Sequence, residues 1–131
     1  MFVDASAICA ILLGEDEMAD FVARLEASKS SMTSPLAIYE ATLALAREVP
    51  GGVPAARRFV AQFLAEARIV VIALGEAEGD RALEAFDRFG KGRHPAGLNM
   101  GDCFAYACAR THGVPLLFKG DDFGRTDIDI A

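Results

Sequence analysis

AARRFVAQFLAEARIVVIALGEAEGDRALEAFDRF, residues 55–89, contains a helix, a strand and a second helix in immediate succession. Residues 55–67, following Pro54, repeat apolar side chains at helical spacing. IVVI, residues 69–72, is the clearest strand in the chain, with β-branched residues pointing both ways. That pattern predicts a strand covered on both faces, as in a parallel sheet. GEAEGDRALEAFDRF, residues 75–89, returns to the helical period with one apolar stripe. A strand set between helices implies crossover connections and a layered α/β architecture.

The same alternation extends in both directions. MFV is a short apolar run ending at Asp4, and ASAICAILL continues with helical spacing. In EDEMADFVARLEA, residues Met18, Phe21, Val22 and Leu25 form a stripe, and SSMTS reads as a short strand or turn. Ser34-Pro35 opens the next helix, a serine cap followed by a proline that the first turn tolerates. That helix, PLAIYEATLALARE, stops at Pro50-Gly51-Gly52. Downstream, GKGRHPAG is a loop, NMGDCFAYACARTHG a helix halted at Gly113, PLLF a strand, KGDDFGRT a turn and DIDI a short final strand. With no repeat and no linker, residues 1–131 read as one domain. The expected fold is a three-layer α/β/α arrangement around a central parallel sheet of about four to five strands.

Composition narrows the function classes. The 131 residues are 53% hydrophobic, enough to close a core. No apolar run approaches the roughly 20 residues that span a bilayer. MFVDAS lacks the basic start and apolar stretch of a secretory signal, so a cytoplasmic location is expected. Cys9, Cys103 and Cys108 are too few and too scattered for a disulfide framework or a zinc site, and they read as core. The net charge of −6 argues against nucleic-acid binding through the overall field. It leaves room for an enzyme whose carboxylates gather in one cleft.

In parallel α/β sheets, ligands bind beyond the carboxyl ends of the strands, where several acidic residues fall here. Asp4 directly follows the first strand, with Ser6 placed to cap the helix or support the carboxylate. Glu40 lies within the most apolar helix, on a side shared with Leu36, Leu43 and Ala44, where an unpaired charge is costly. Asp102 falls in the first turn of its helix, where the dipole favours a carboxylate. Asp121 and Asp122 follow the late strand in a glycine turn. Such a set suits Mg²⁺ or Mn²⁺, hard cations that take oxygen ligands and assist phosphodiester hydrolysis. His94 and His112 lack the context of a nucleophile triad. Arg88, Lys91, Arg93 and His94 form the densest positive cluster, suited to phosphate contact or simply to a solvated loop.

MFVDASA, IYEA, GLNMGDCFAYACA and PLLFKGDDFGRTDI together resemble the PIN-domain ribonucleases, in order and over essentially the whole chain. Within them the likeness is to VapC-type toxins of bacterial toxin–antitoxin pairs. The resemblance implies a PIN-like fold, an acidic Mg²⁺ (or Mn²⁺) site, endonucleolytic cleavage of RNA, and neutralisation by a VapB-like antitoxin. Carried over by motif, Asp4, Glu40 and Asp102 are the central acidic positions, with Asp4 and Asp102 as direct metal ligands. Glu40 would ligate the metal or orient its water. Asp121 is favoured as the fourth catalytic carboxylate, with Asp122 beside it, and Ser6 and Asn99 would support the carboxylates by hydrogen bonding. For such an enzyme the positive cluster described above would supply the RNA contacts, through Lys91 and Arg93. A homodimer, and an antitoxin segment laid against the early helices near Leu12, Leu13, Met18, Phe21 and the helix from Leu36 to Leu45, follow from the same resemblance.

Two other α/β families fail on their own motifs. A response-regulator receiver needs an acidic pair after the first strand and an aspartate after the third, but Asp4 stands alone and IVVI runs into Ala73-Leu74. A haloacid-dehalogenase-type phosphatase needs a second aspartate where Ser6 stands. The remaining alternative is a PIN fold serving as a protein-binding module with little or no nuclease activity.

Overall fold

The computed structural model describes all 131 residues. The chain runs β1 (Phe2–Val3), α1 (Ala5–Leu12), α2 (Met18–Ala27), β2 (Ser31–Thr33), α3 (Pro35–Glu48), α4 (Gly52–Glu66), β3 (Ile69–Val71), α5 (Glu76–Phe89), α6 (Met100–His112) and β4 (Leu116–Leu117). A 3₁₀ turn at Phe123–Arg125 follows. The four strands form one parallel sheet in the order β3-β2-β1-β4, so the expected α/β fold holds with four strands.

Local chemistry explains the boundaries. The Ser34 side chain accepts from the Ala37 N–H at 3.2 Å and caps α3, with Pro35 in the first turn. Gly113, at φ +62°, ends α6 in the left-handed conformation that glycine adopts without a Cβ clash. Phe2, Val3, Ile8, Leu45, Leu98, Leu116 and Leu117 are almost wholly excluded from solvent and tie the sheet to its helices. Cys103 and Cys108 are buried thiols, whereas Cys9 is half-buried. No helix is long and apolar enough to cross a membrane.

Three expectations need correction. IVVI is not covered on both faces: β3 is an edge strand, with Val70 64% and Val71 47% exposed and only Ile69 buried. β-branching there reflects the fit of such side chains to extended backbone, which an edge strand shares with a central one. Helix α4 begins at Gly52, before Pro54, because proline is accepted within a first turn whose N–H groups have no helical acceptor. The DIDI segment contributes a single parallel bridge, Leu116 to Ile130, and no fifth strand.

The topology positions the acidic residues. β1 lies between β2 and β4, with Val3 in register with Leu117. Asp4, one residue beyond β1, donates its N–H to the Leu117 carbonyl at 3.0 Å. Residues leaving β1 and β4 therefore emerge side by side at the carboxyl edge of the sheet.

Candidate active site

Asp4 is buried at the junction of β1 and α1, where it is the N-cap of the helix. Its Oδ2 accepts from the Ser6 N–H at 3.0 Å and also from the Ser6 hydroxyl. The Ser6 hydroxyl in turn accepts the Lys119 N–H at 3.0 Å, which links the end of β4 to Asp4. At the mouth of α6, Asn99 is the N-cap and Asp102 the third helical residue. The Asn99 side chain accepts from the Asp102 N–H at 2.9 Å, and Asp102 Oδ2 accepts from the Asn99 N–H at 3.0 Å. This reciprocal box fixes the Asp102 side chain, and no protein donor reaches Oδ1. Asp102 thus has both roles open to it, closing the cap and presenting an oxygen.

Glu40 reaches this site from α3. A Cβ on Gly101 would lie 2.3 Å from each Glu40 carboxylate oxygen, so Glu40 occupies the space that the glycine leaves. The half-buried Glu40 carboxyl is pushed up to about 7, first by burial and then by the charges of Asp4 and Asp102. Asp102 is pushed up to about 6 by burial, with the charges of Asp4 and Asp122 adding to the shift and the Asn99 N–H opposing it. Burial also raises Asp4, against the opposing hydrogen bonds from Ser6. Three carboxyls from three separate elements therefore feel one another's charge.

None of them has a protein cation. The ion pairs of the molecule join Arg24–Asp20, Arg88–Asp127, Arg93–Asp87, Arg110–Asp127, His112–Glu78, Lys119–Glu15 and Lys119–Glu17. Crowded carboxylates without a counter-charge fit a bound cation, because ionised groups taken from water need pairing. The side chains do not close into a ready cage: no three His, Cys, Asp or Glu residues stand in complete metal-ligating geometry. Mg²⁺ commonly binds through one or two carboxylates and retains waters, so this donor set fits it.

The other candidate residues divide. Asp121 and Asp122 are both exposed ahead of the 3₁₀ turn, and it is the Asp122 charge that acts on Asp102. Arg93 is paired with Asp87 at 2.9 Å, and Arg88 with Asp127 at 2.9 Å. His94 Nδ1 accepts the Ala96 N–H at 3.1 Å. Lys91 is exposed and has no ion pair. His112 ends α6, 3.6 Å from Glu78. Two residues of the site were not singled out from sequence: Gly101, which makes room for Glu40, and Lys119, whose N–H holds Ser6. The only trace of Gly101 in the sequence is a glycine placed inside a helix at a propensity cost.

A family profile described as the PIN domain matches residues 1–129. The chain is 40% identical over 128 residues to Ribonuclease VapC30 of Mycobacterium tuberculosis, covering 98% of this chain and 95% of that protein. It is 41% identical to Ribonuclease VapC of Mycolicibacterium smegmatis, covering 98% and 97% respectively. The fold superposes on Mycobacterium tuberculosis VapC20, described as a sarcin–ricin loop cleaving toxin, with a TM-score of 0.74 and 23% identity over 99% of this chain and 97% of that one. By full-length sequence and by fold, the chain belongs to the PIN-domain family, in its VapC ribonuclease branch.

Proposed function

We propose that this protein is a Mg²⁺-dependent endoribonuclease toxin of a VapBC-type pair. The observation that carries the reading is the convergence of Asp4, Glu40 and Asp102, without a protein counter-charge, at the carboxyl edge of the parallel sheet. The names of the VapC relatives supply the reaction class, RNA cleavage. Asp4 and Asp102 would hold the cation, and Glu40 would join them or orient water. Asp122 is the better-supported fourth carboxylate, since its charge reaches Asp102, while Asp121 stands beside it in the same turn. Ser6 and Asn99 keep two of the carboxylates in one orientation each. When bound, Mg²⁺ or Mn²⁺ neutralises phosphate oxygens and acidifies the water it coordinates.

Lys91 and Arg93, in the loop before α6, would contact RNA phosphates, with Lys91 the freer of the two because Arg93 is paired with Asp87. The partner would be a VapB-like antitoxin; the chain shares its fold, at a TM-score of 0.71 and 14% identity, with a chain of a toxin–antitoxin complex from Klebsiella pneumoniae. A homodimer acting in the cytoplasm completes the proposal. The test is cleavage of a panel of structured RNAs in Mg²⁺ by the wild type, Asp4→Asn and Asp102→Asn. Each substitution should cost more than about 100-fold, beyond the ~10–100-fold of outer-shell changes. Mg²⁺ should also raise the thermal midpoint of the wild type and leave both variants unmoved. A wild type inactive on every RNA would favour the binding-module alternative.

A further inference from the structure

The acidic cavity has one cation on its wall. Ser6, Cys9, Glu15, Glu40 and Lys119 line an open space of about 350 Å³ beside Asp4, and Lys119 is its only positive side chain. Lys119 lies just beyond β4, and its backbone N–H is fixed to the Ser6 hydroxyl that holds Asp4. The backbone of Lys119 is therefore tied through Ser6 to the innermost carboxylate. It pairs with Glu15 and, at 3.1 Å, with Glu17, both on the α1–α2 connection. Glu17 Oε2 is cut off from solvent and has no partner other than this ammonium.

An ammonium has three donors; the Glu15 contact is a hydrogen bond, whereas the Glu17 contact is an ion pair without hydrogen-bond geometry. Donor capacity therefore remains for an anionic ligand in the cavity, whose remaining charged groups are all carboxylates. An anionic substrate entering this cavity would meet a single protein cation. We propose that Lys119 is a substrate-binding residue that takes a phosphate oxygen of the RNA at the cleavage site, in competition with Glu15 and Glu17 for its ammonium. This rests on the ribonuclease reading above.

A purely structural role for Lys119, tying the α1–α2 connection to β4, makes a different prediction, and paired variants separate the two. RNA binding is measured across a salt series in the Asp4→Asn background, and cleavage kinetics in the otherwise wild-type chain. Lys119→Met should raise KM about tenfold, as expected for loss of a charged hydrogen bond. It should also lower the salt slope of binding by about one. Lys119→Arg should restore most of the slope. Glu15→Gln/Glu17→Gln removes the same ion pairs but leaves the ammonium, so RNA binding should be kept or tightened while the thermal midpoint falls. If the glutamine pair instead weakens RNA binding as much as Lys119→Met does, the role is structural and the inference is overturned. Unchanged KM and slope in Lys119→Met, with the wild type active, overturn it alone. A wild type that neither binds nor cleaves RNA removes the ribonuclease reading and this inference together.

Discussion

Gly101 shows how a residue without a side chain shapes a carboxylate site. It sits in the first turn of α6 against Glu40 of α3, where an added Cβ would fall 2.3 Å from both carboxylate oxygens. The clash falls on the tip of a flexible side chain, so the glutamate moves and the helix stays. Gly101→Ala should therefore leave the thermal midpoint unchanged or slightly higher, since alanine favours a helix over glycine by up to ~1 kcal/mol. RNA cleavage should fall by about 100-fold, the scale of a 1 Å misplacement in an active site. Comparing kcat with thermal melts of the variant checks both halves, and intact kcat would detach Glu40 from the chemistry. Asp4, Glu40 and Asp102 could be read from sequence because each breaks a local apolar pattern. Gly101 could not, because its partner is distant in the chain and contact between helices leaves no local pattern.

Among the elements, α5 and α6 are fastened to the C-terminal segment through Asp127. Tyr106 donates to Asp127 Oδ1 at 2.6 Å, and Arg88 and Arg110 meet Oδ2 at 2.9 and 2.8 Å. The Tyr106 hydroxyl foremost, then the Arg88 hydrogen bond and the two guanidinium charges, pull the Asp127 carboxyl down to about 2. The folded value lies below the unfolded one of about 3.9, so the clamp stabilises the fold above pH 4. That contribution is lost as pH falls from about 4 toward 2. Asp127→Asn should flatten this part of a plot of thermal midpoint against pH, and added salt should shrink the wild-type effect because the pairs are partly exposed. Arg88 illustrates why the positive cluster read from sequence comes apart in space. Only two residues separate it from Lys91, yet it lies on α5 and turns to Asp127 while Lys91 lies in the loop. The edge position of β3 was equally hidden, because strand order is set by crossovers and β-branched residues fill edge and central strands alike.

At the scale of the molecule, the site has no local existence. Its carboxylates come from positions 4, 40 and 102 and from the turn after β4, and only the sheet brings these segments to one edge. The alternation of helices and strands was legible because each element carries its own period, and the candidate acids because the motifs stand in order. Their mutual distances were not, since those depend on the register of β1 with both neighbours. Phe2 carries that dependence: it is in register with Met32 on one side and Leu116 on the other, and it is wholly buried. Phe2→Ala should cost about 3–5 kcal/mol, the usual penalty for emptying such a position. Against a typical stability of roughly 5–15 kcal/mol, that is a large fraction for a single domain. Urea titration should show a lower midpoint with an unchanged slope. Ribonuclease activity, followed in the same titration, should disappear at the same urea concentration as the helical signal, because loss of β1 separates Asp4 from Glu40 and Asp102 in one step. Activity persisting beyond the loss of helix would mean that the site does not depend on the sheet.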